Sequence, residues 1–270
     1  MCKRPSQVLN MDHSALKHYH LHDFDPRRLH ETYYSASADS KMKEDIVLFP
    51  IKQLMKISGR IKGESVIDCS VGCDIFHLLP ICEGFQDIAI LESADSCIVE
   101  LEKWTKKEQD AIDLSHASQI VTALEGNSDK WKEKEESLRQ RIKNILKCDF
   151  ERDNPTHPVV LKKADCLLSL YVLHFVSKDL DVFCSNLQKF SSILKLGGRL
   201  LLFGGFNATF YTVDGEAFHL LPLDEPFVRK ALLETGFVVL NLETIENKVR
   251  NELAHYEHIY FIDALKVREK

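Results

Sequence analysis

Two short apolar runs that each close on an acid constrain this chain more than any other feature. Val66-Ile67-Asp68 leads into the small-residue turn Ser70-Val71-Gly72, and Ile88 to Leu91 leads into Glu92. The first reads as a buried strand ending in a tight turn. Phe76, Leu78, Leu79 and Ile81 supply the apolar face of a following helix, and the second run is the next strand. Two strands joined by a helix form a parallel pair, because the crossover returns the chain in the same direction.

The alternation continues. Cys97 to Trp104 reads as a helix and Ser118 to Ala123 as a third strand. Within DKWKEKEESLRQRIKNILK, Leu138, Ile142, Ile145 and Leu146 share one helical face, while Lys132/Glu136 and Glu135/Arg139 are spaced for surface ion pairs on a solvated face. Cys166 to Tyr171 reads as a buried strand and Lys178 to Leu194 as an amphipathic helix. Gly197-Gly198 turns into the strand RLLLFGG, and Glu225 to Thr235 makes a helix stopped at Gly236. Phe237 to Leu242 and Tyr256 to Leu265 complete about seven strands with five or six helices. That pattern predicts an α/β fold: a doubly wound, mostly parallel, Rossmann-like sheet with helices on both faces. Upstream, Asp25 and Pro26 start a helix, and a second spans Lys41 to Ile61, kinked or divided at Pro50. Residues 1–20 carry no periodicity and are expected to be mobile. Residues 21–270 are expected to form one domain with an N-terminal helical cap.

Size and charge narrow the partners. A 270-residue chain with 44% hydrophobic residues can furnish a full core, and its net charge of -6 includes no Lys/Arg-rich stretch to neutralise phosphates. Nucleic acid is therefore not expected as a partner. No run approaches the roughly 20 apolar residues of a membrane span, and MCKRPSQVLN lacks the apolar core of a secretion signal. A cytoplasmic monomer is the expectation. The eight cysteines then read as reduced thiols. Cys69 and Cys73 have no ordered Cys/His quartet to complete a zinc site. His18, His20 and His22 alternate in what reads as a solvated lead-in.

In a doubly wound sheet the ligand lies where strand order reverses, so the loop after the first strand and the acid ending the second are the places to examine. Gly72 permits close backbone approach, and Glu92, twenty residues beyond it, can accept from both hydroxyls of a ribose. A nucleoside-bearing cofactor follows. The three spaced glycines of a dinucleotide fingerprint are absent, which disfavours NAD. Strand, turn and acid also occur in α/β proteins with no such ligand, so the motif by itself leaves both readings open.

Longer runs point further. FDPRRLHETYYS (24–35), VIDCSVGCDIFHLL (66–79), LEKWTKKE (101–108), LEGNSDKWKEKEESLR (124–139), ILKCDF (145–150), ADCLLSLYVL (164–173) and LKLGGRLLLFG (194–204) together resemble the small-amine N-methyltransferase family of nicotinamide, indolethylamine and phenylethanolamine N-methyltransferases. The resemblance implies a class I methyltransferase fold and S-adenosyl-L-methionine as cofactor. It implies that Tyr34 covers the cofactor and that Ser70, Gly72, Phe76, Cys97 and Leu170 line it. Glu92 would hold the ribose, and Asp149 with Phe150 the adenine. It also places His174, Gly204, Tyr211 and Leu220 on the acceptor side.

The chain departs from the family pattern at several of these positions. The turn glycine is Ser70 and the small residue after it is Val71. Leu29 stands for a tyrosine, Ser93 for an aromatic residue and Cys97 for an asparagine. The acid that orients nicotinamide is Gly204, and a pocket hydroxyl is Leu220. Should Ser70 require positive φ, its Cβ would lower cofactor affinity about tenfold. His174 reads either as a contact for an amine or as a hydrogen-bonded structural histidine. Two functions follow: a methyltransferase for a small amine, aromatic nitrogen or thioether, working by alignment without a general base, or a non-catalytic relative serving as a binding or interaction protein.

Overall fold

The structure is a computed structural model that describes residues 16–19, 25–247 and 252–269. Asp25 accepts from the Arg27 N–H and Pro26 opens the first helix, α1 (Pro26–Tyr33). Next come α2 (Ser40–Lys43) and α3 (Phe49–Ser58), joined through a π-turn over Glu44–Leu48. The wider turn lies just before Pro50, which has no N–H to give and whose ring crowds the preceding turn. The division expected at Pro50 is therefore a π-turn within a continuous helical path.

Strands β1 (Gly63–Asp68) and β2 (Phe85–Glu92) pair in parallel as expected. Between them the expected helix over Phe76 to Ile81 is replaced by two short 3₁₀ turns, at Phe76–Leu78 and Cys82–Gly84. Pro80 interrupts any longer helix there. Then come α4 (Asp95–Lys106), α5 (Ser115–Leu124), α6 (Trp131–Arg141) and β3 (Ile142–Lys147).

Two assignments made from sequence are exchanged here. Ser118 to Ala123 is not a strand but part of α5, where Ala117, Ser118 and Val121 form a helically spaced buried face. Ile142, Ile145 and Leu146 are not helical. They belong to β3, which covers the open edge of β2 with Ile145 opposite Ile90 and Leu146 opposite Leu91. The charged face is also less solvated than expected: Glu135 is buried, pairs with Arg139 at 3.0 Å and accepts from the Ser118 hydroxyl, while Glu136 pairs with Lys107.

Strand β4 (Ala164–Leu170) is followed by α7 (Val172–Val176), α8 (Leu180–Ser192) and β5 (Leu194–Phe206). A small sheet unforeseen from sequence comes next. It contains β6 (Phe210–Val213), β7 (Glu216–His219) and, after α9 (Glu225–Glu234) and β8 (Phe237–Glu246), the short β9 (Ala254–His255). Asp214-Gly215, at φ +51° and +78°, closes its hairpin in the mirror-image turn that matches strand twist. Strand β10 (His258–Lys266) returns to the main sheet.

The main sheet has seven strands in the order β3-β2-β1-β4-β5-β10-β8, with β10 alone reversed. Strand order turns back between β1 and β4, and their carboxyl ends open a crevice there. Residues 16–19, within the segment expected to be mobile, are packed: Lys17 bridges to Phe218 and Tyr19 is buried. Residues 1–15 and 20–24, with His20 and His22, lie outside the described residues. No described helix is long and apolar enough to cross a membrane, and no described group of three His, Cys, Asp or Glu residues is placed to hold a metal. The seven described cysteines form no disulfide.

Candidate functional site

Five adjacent strands deliver their carboxyl ends to the crevice. β1 brings Ser70 to Gly72, β2 brings Glu92, β3 brings Asp149 and Phe150, β4 brings Leu170 to His174, and β5 brings Gly204 to Phe206. The sheet thus gathers on one rim residues that span more than half the chain.

On the nucleoside side, Gly72 has φ +83°, a conformation that a side chain disfavours, and a Cβ there would lie 2.9 Å from Leu29 Cδ2. Ser70 is absent from the positive-φ residues. Its hydroxyl donates to Asp68 Oδ1 at 2.6 Å and accepts the Leu170 N–H at 3.0 Å, tying the turn to β4. The steric penalty expected of Ser70 does not arise, because the strained position is two residues later.

Glu92 is buried, and burial pushes its carboxyl up to about 8 against the opposing hydrogen bonds from the Ala94 N–H and the Tyr19 hydroxyl. Tyr19 stands between the two halves of this side: its hydroxyl accepts from the Gly72 N–H at 2.7 Å and donates to the Glu92 carboxylate at 3.0 Å. Cys97 Sγ lies 3.8 Å from the same hydroxyl. The donor and acceptor set around Gly72 and Glu92 therefore accommodates a hydroxyl that takes one hydrogen bond and gives another, which is the polarity of a sugar hydroxyl. Those residues fit a nucleoside.

Phe76 is buried against Tyr34, with ring centroids 5.6 Å apart. Asp149 lies on the open rim, its carboxylate held by the Glu151 N–H and by Arg152 at 2.9 Å, and these hydrogen bonds keep it below the usual carboxylate range. Phe150 is buried, its ring centroid 6.3 Å from that of Phe190.

Beyond Val71 and Tyr34 lies an apolar cavity with a free volume of ≈ 60 Å³. That is several times the roughly 10–15 Å³ one water needs and below the few hundred Å³ common for ligand pockets. Leu29, Met42, Ile46 and Leu220 line it with the aromatic rings of Tyr33, Tyr34, Tyr171, Phe175, Tyr211 and Tyr256. Tyr211 and Leu220 both line it.

Gly204 is not on the wall; Gly205 is. A Cβ built on Gly204 would collide with His174 Nε2 and Tyr260 Oη, so this glycine makes room for that pair. His174 lines the cavity, but both its nitrogens are engaged. Nδ1 faces the Leu221 carbonyl at 3.2 Å, which can only accept, so Nε2 accepts from the Tyr260 hydroxyl at 3.0 Å. Burial lowers the imidazole to about 4, so it is neutral near pH 7. Of the two readings of His174, the structural one describes its bonding.

Tyr19 and Tyr171 escaped the sequence reading. Tyr19 sits in a stretch without periodicity, and nothing in it foretells a phenol reaching residues 53 and 73 positions away. In sequence, Tyr171 marks only the end of the buried run that begins at Cys166. The hairpin that carries Tyr211 was missed as well, although Asp214-Gly215 between two apolar runs is a signal that could have found it.

A family model described as the NNMT/PNMT/TEMT family matches residues 12–267. Nicotinamide N-methyltransferase of Homo sapiens is 35% identical over 253 residues, 93% of this chain and 96% of that protein. Indolethylamine N-methyltransferase of Oryctolagus cuniculus is 36% identical over 221 residues, 81% of this chain and 84% of that protein. Phenylethanolamine N-methyltransferase of Rattus norvegicus is 30% identical over 251 residues, 90% and 88% of the two chains. Among solved structures, N-methyltransferase NodS from Bradyrhizobium japonicum, in complex with S-adenosyl-L-homocysteine, aligns with a TM-score of 0.54 at 10% identity over 93% of this chain and 95% of that one. Magnesium protoporphyrin IX methyltransferase from Synechocystis, with bound S-adenosyl-L-homocysteine, aligns at 0.53 and 14% identity over 89% and 93%. These two agree with the present chain in fold.

Proposed function

The chain belongs to the NNMT/PNMT/TEMT family and is an S-adenosylmethionine-dependent methyltransferase, and we propose that it takes its acceptor uncharged: a small amine as the free base, an aromatic nitrogen or a thioether. One observation carries this reading. No acid, lysine or arginine is among the described residues lining the cavity, and the position that could carry an acid is Gly204, its space filled by a neutral His174–Tyr260 pair. An ammonium ion buried there without a partner would cost several kcal/mol.

Gly72 and Glu92 would hold the cofactor, with Ser70 bracing their loop and Tyr34 and Phe76 packing beside it; Asp149 on the rim would reach its base. Cys97 and Leu170 would form apolar walls, and Phe150 would support the rim from the core. S-adenosylmethionine supplies a methyl group already activated on a sulfonium, so the protein needs no nucleophile of its own. A neutral acceptor has its lone pair free, and no proton must leave before transfer. The walls orient the acceptor and exclude water. As positive charge moves onto the acceptor, the faces of the surrounding tyrosines and Phe175 favour it by about 2 kcal/mol in a desolvated site.

The reading also takes the protein as a cytoplasmic monomer whose cysteines stay reduced. Titration calorimetry with S-adenosylmethionine and S-adenosylhomocysteine tests the first part, micromolar binding being expected; absence of heat with both would sink it. Methyl transfer to pyridine, dimethyl sulfide and phenylethylamine across pH 6 to 9 tests the second. Pyridine or dimethyl sulfide should be methylated at neutral pH, while phenylethylamine turnover should climb with its free-base fraction. A pH-independent preference for the charged amine would overturn the uncharged-acceptor reading.

A further inference from the structure

Among the described residues, Tyr171 combines a left-handed backbone with a buried, unpartnered hydroxyl. It follows the last residue of β4 and has φ +64°, in the left-handed region that a bulky side chain seldom enters. Such a backbone is strained and persists where its surroundings impose it. The side chain is 7% exposed, and its hydroxyl, fully buried, has no hydrogen-bond partner among the described residues. Leaving a buried hydroxyl unsatisfied adds its uncompensated desolvation to that strain.

A second phenol shares both its location and its deficit. Tyr211, on β6, lines the same cavity, is 4% exposed and likewise has a buried hydroxyl with no described partner. Its ring is held by Phe175 at 4.4 Å and Phe218 at 5.1 Å. Three other phenols nearby are hydrogen-bonded: Tyr33 to Thr212 and Leu253, Tyr256 to Asp45, and Tyr260 to His174. Phenylalanine at 171 and 211 would keep the packing without the unpaired oxygens. A ligand in the cavity that offers a hydrogen-bond acceptor would satisfy them.

We propose that Tyr171, together with Tyr211, donates hydrogen bonds to the methyl acceptor, which is therefore an uncharged molecule carrying a hydrogen-bond-accepting oxygen or nitrogen besides the atom that is methylated. This rests on the methyltransferase reading above and narrows its acceptor class. The backbone strain at Tyr171 directs the side chain into the cavity from the end of β4, while Tyr211 reaches it from the small sheet. The two donors come from different elements and survive independently of one another.

The test compares 3-acetylpyridine with 3-ethylpyridine, probes of similar size of which only the first carries a carbonyl. Binding is measured by calorimetry, with and without S-adenosylhomocysteine, for the natural protein and for Tyr171→Phe and Tyr211→Phe. The natural protein should prefer the acetyl probe about tenfold, the size of one hydrogen bond. Tyr171→Phe should abolish most of the preference and leave the 3-ethylpyridine affinity unchanged. Its melting temperature without ligand should hold or rise, since an unsatisfied hydroxyl is removed. A melting temperature that falls by several degrees would assign Tyr171 a structural bond and overturn the proposal. So would an intact preference in both variants, or binding of neither probe to the natural protein. Failure of S-adenosylhomocysteine to bind while the probe preference persists counts against the methyltransferase reading alone.

Discussion

Glu92 is where charge, burial and ligand chemistry meet in a single side chain. Burial pushes its carboxyl up to about 8, although the Tyr19 hydroxyl and the Ala94 N–H both favour the ionised form. A folded-state value above the unfolded one means that the folded protein holds this proton more tightly. The resulting stability is fully present below roughly pH 4.3 and is lost as pH rises from there to about 8, on the order of 1.4 kcal/mol per pH unit within that window. The melting temperature of the ligand-free protein should therefore fall between pH 5 and 8, and Glu92→Gln should flatten that slope. Two ribose hydroxyls donating to Glu92 would favour the carboxylate. Cofactor binding at pH 7 should then release close to one proton, read from calorimetry in buffers of different ionisation heat, and Glu92→Gln should abolish the release. Glu92 was legible in sequence because an acid closing the second strand has a fixed place in this topology. Ser70 was legible as a position and misread as a liability, since whether a turn residue takes positive φ depends on the neighbouring strand that hydrogen-bonds it. Gly204 was legible as a missing acid, but only packing shows that His174 and Tyr260 occupy the space.

Between elements, the errors share one physical origin. Ile142, Ile145 and Leu146 fit a helical face and an edge strand equally well, and the open edge of β2 decides for the strand. Ser118 to Ala123 carries β-branched residues, yet Ala117, Ser118 and Val121 bury one helical face and decide for α5. Local spacing was sufficient where a run was long or strictly alternating, as in β5 and α8, and insufficient where tertiary neighbours chose between two periods. The N-terminal helix and the small sheet form another such pairing, invisible in sequence. Tyr33 on α1 directs its hydroxyl to the Thr212 carbonyl at 2.7 Å and the Leu253 carbonyl at 2.9 Å, and it accepts the Thr212 N–H at 3.1 Å. Tyr33→Phe should destabilise the protein by about 1 to 3 kcal/mol, because the Thr212 carbonyl loses the hydroxyl that donates to it, while the Thr212 N–H keeps the Leu253 carbonyl. Hydrogen exchange should accelerate over residues 210–219 ahead of the main sheet. Unchanged protection there would mean that strand pairing alone holds the hairpin and that the tie to α1 is incidental.

At the scale of the molecule, a doubly wound sheet of about seven strands was readable from the alternation of elements, while its strand order and the small sheet beside the crevice were not. One hydrophobic cluster runs from Tyr19 through the strands of the main sheet to Ala264, and it takes in α1, the π-turn and the small sheet. No boundary in that cluster separates the cofactor side from the acceptor side. We therefore propose that the chain from the helical cap to the last strand unfolds as one unit. A ligand bound at Gly72 and Glu92 should stabilise all of it, by about 2.7 kcal/mol at a hundredfold excess over its dissociation constant. Calorimetric heating should show a single transition, displaced upward as a whole by S-adenosylhomocysteine. Two transitions, of which only one responds to the ligand, would make the cap and small sheet a separate folding unit. The acceptor cavity, walled by both layers, would then open before the cofactor site is lost.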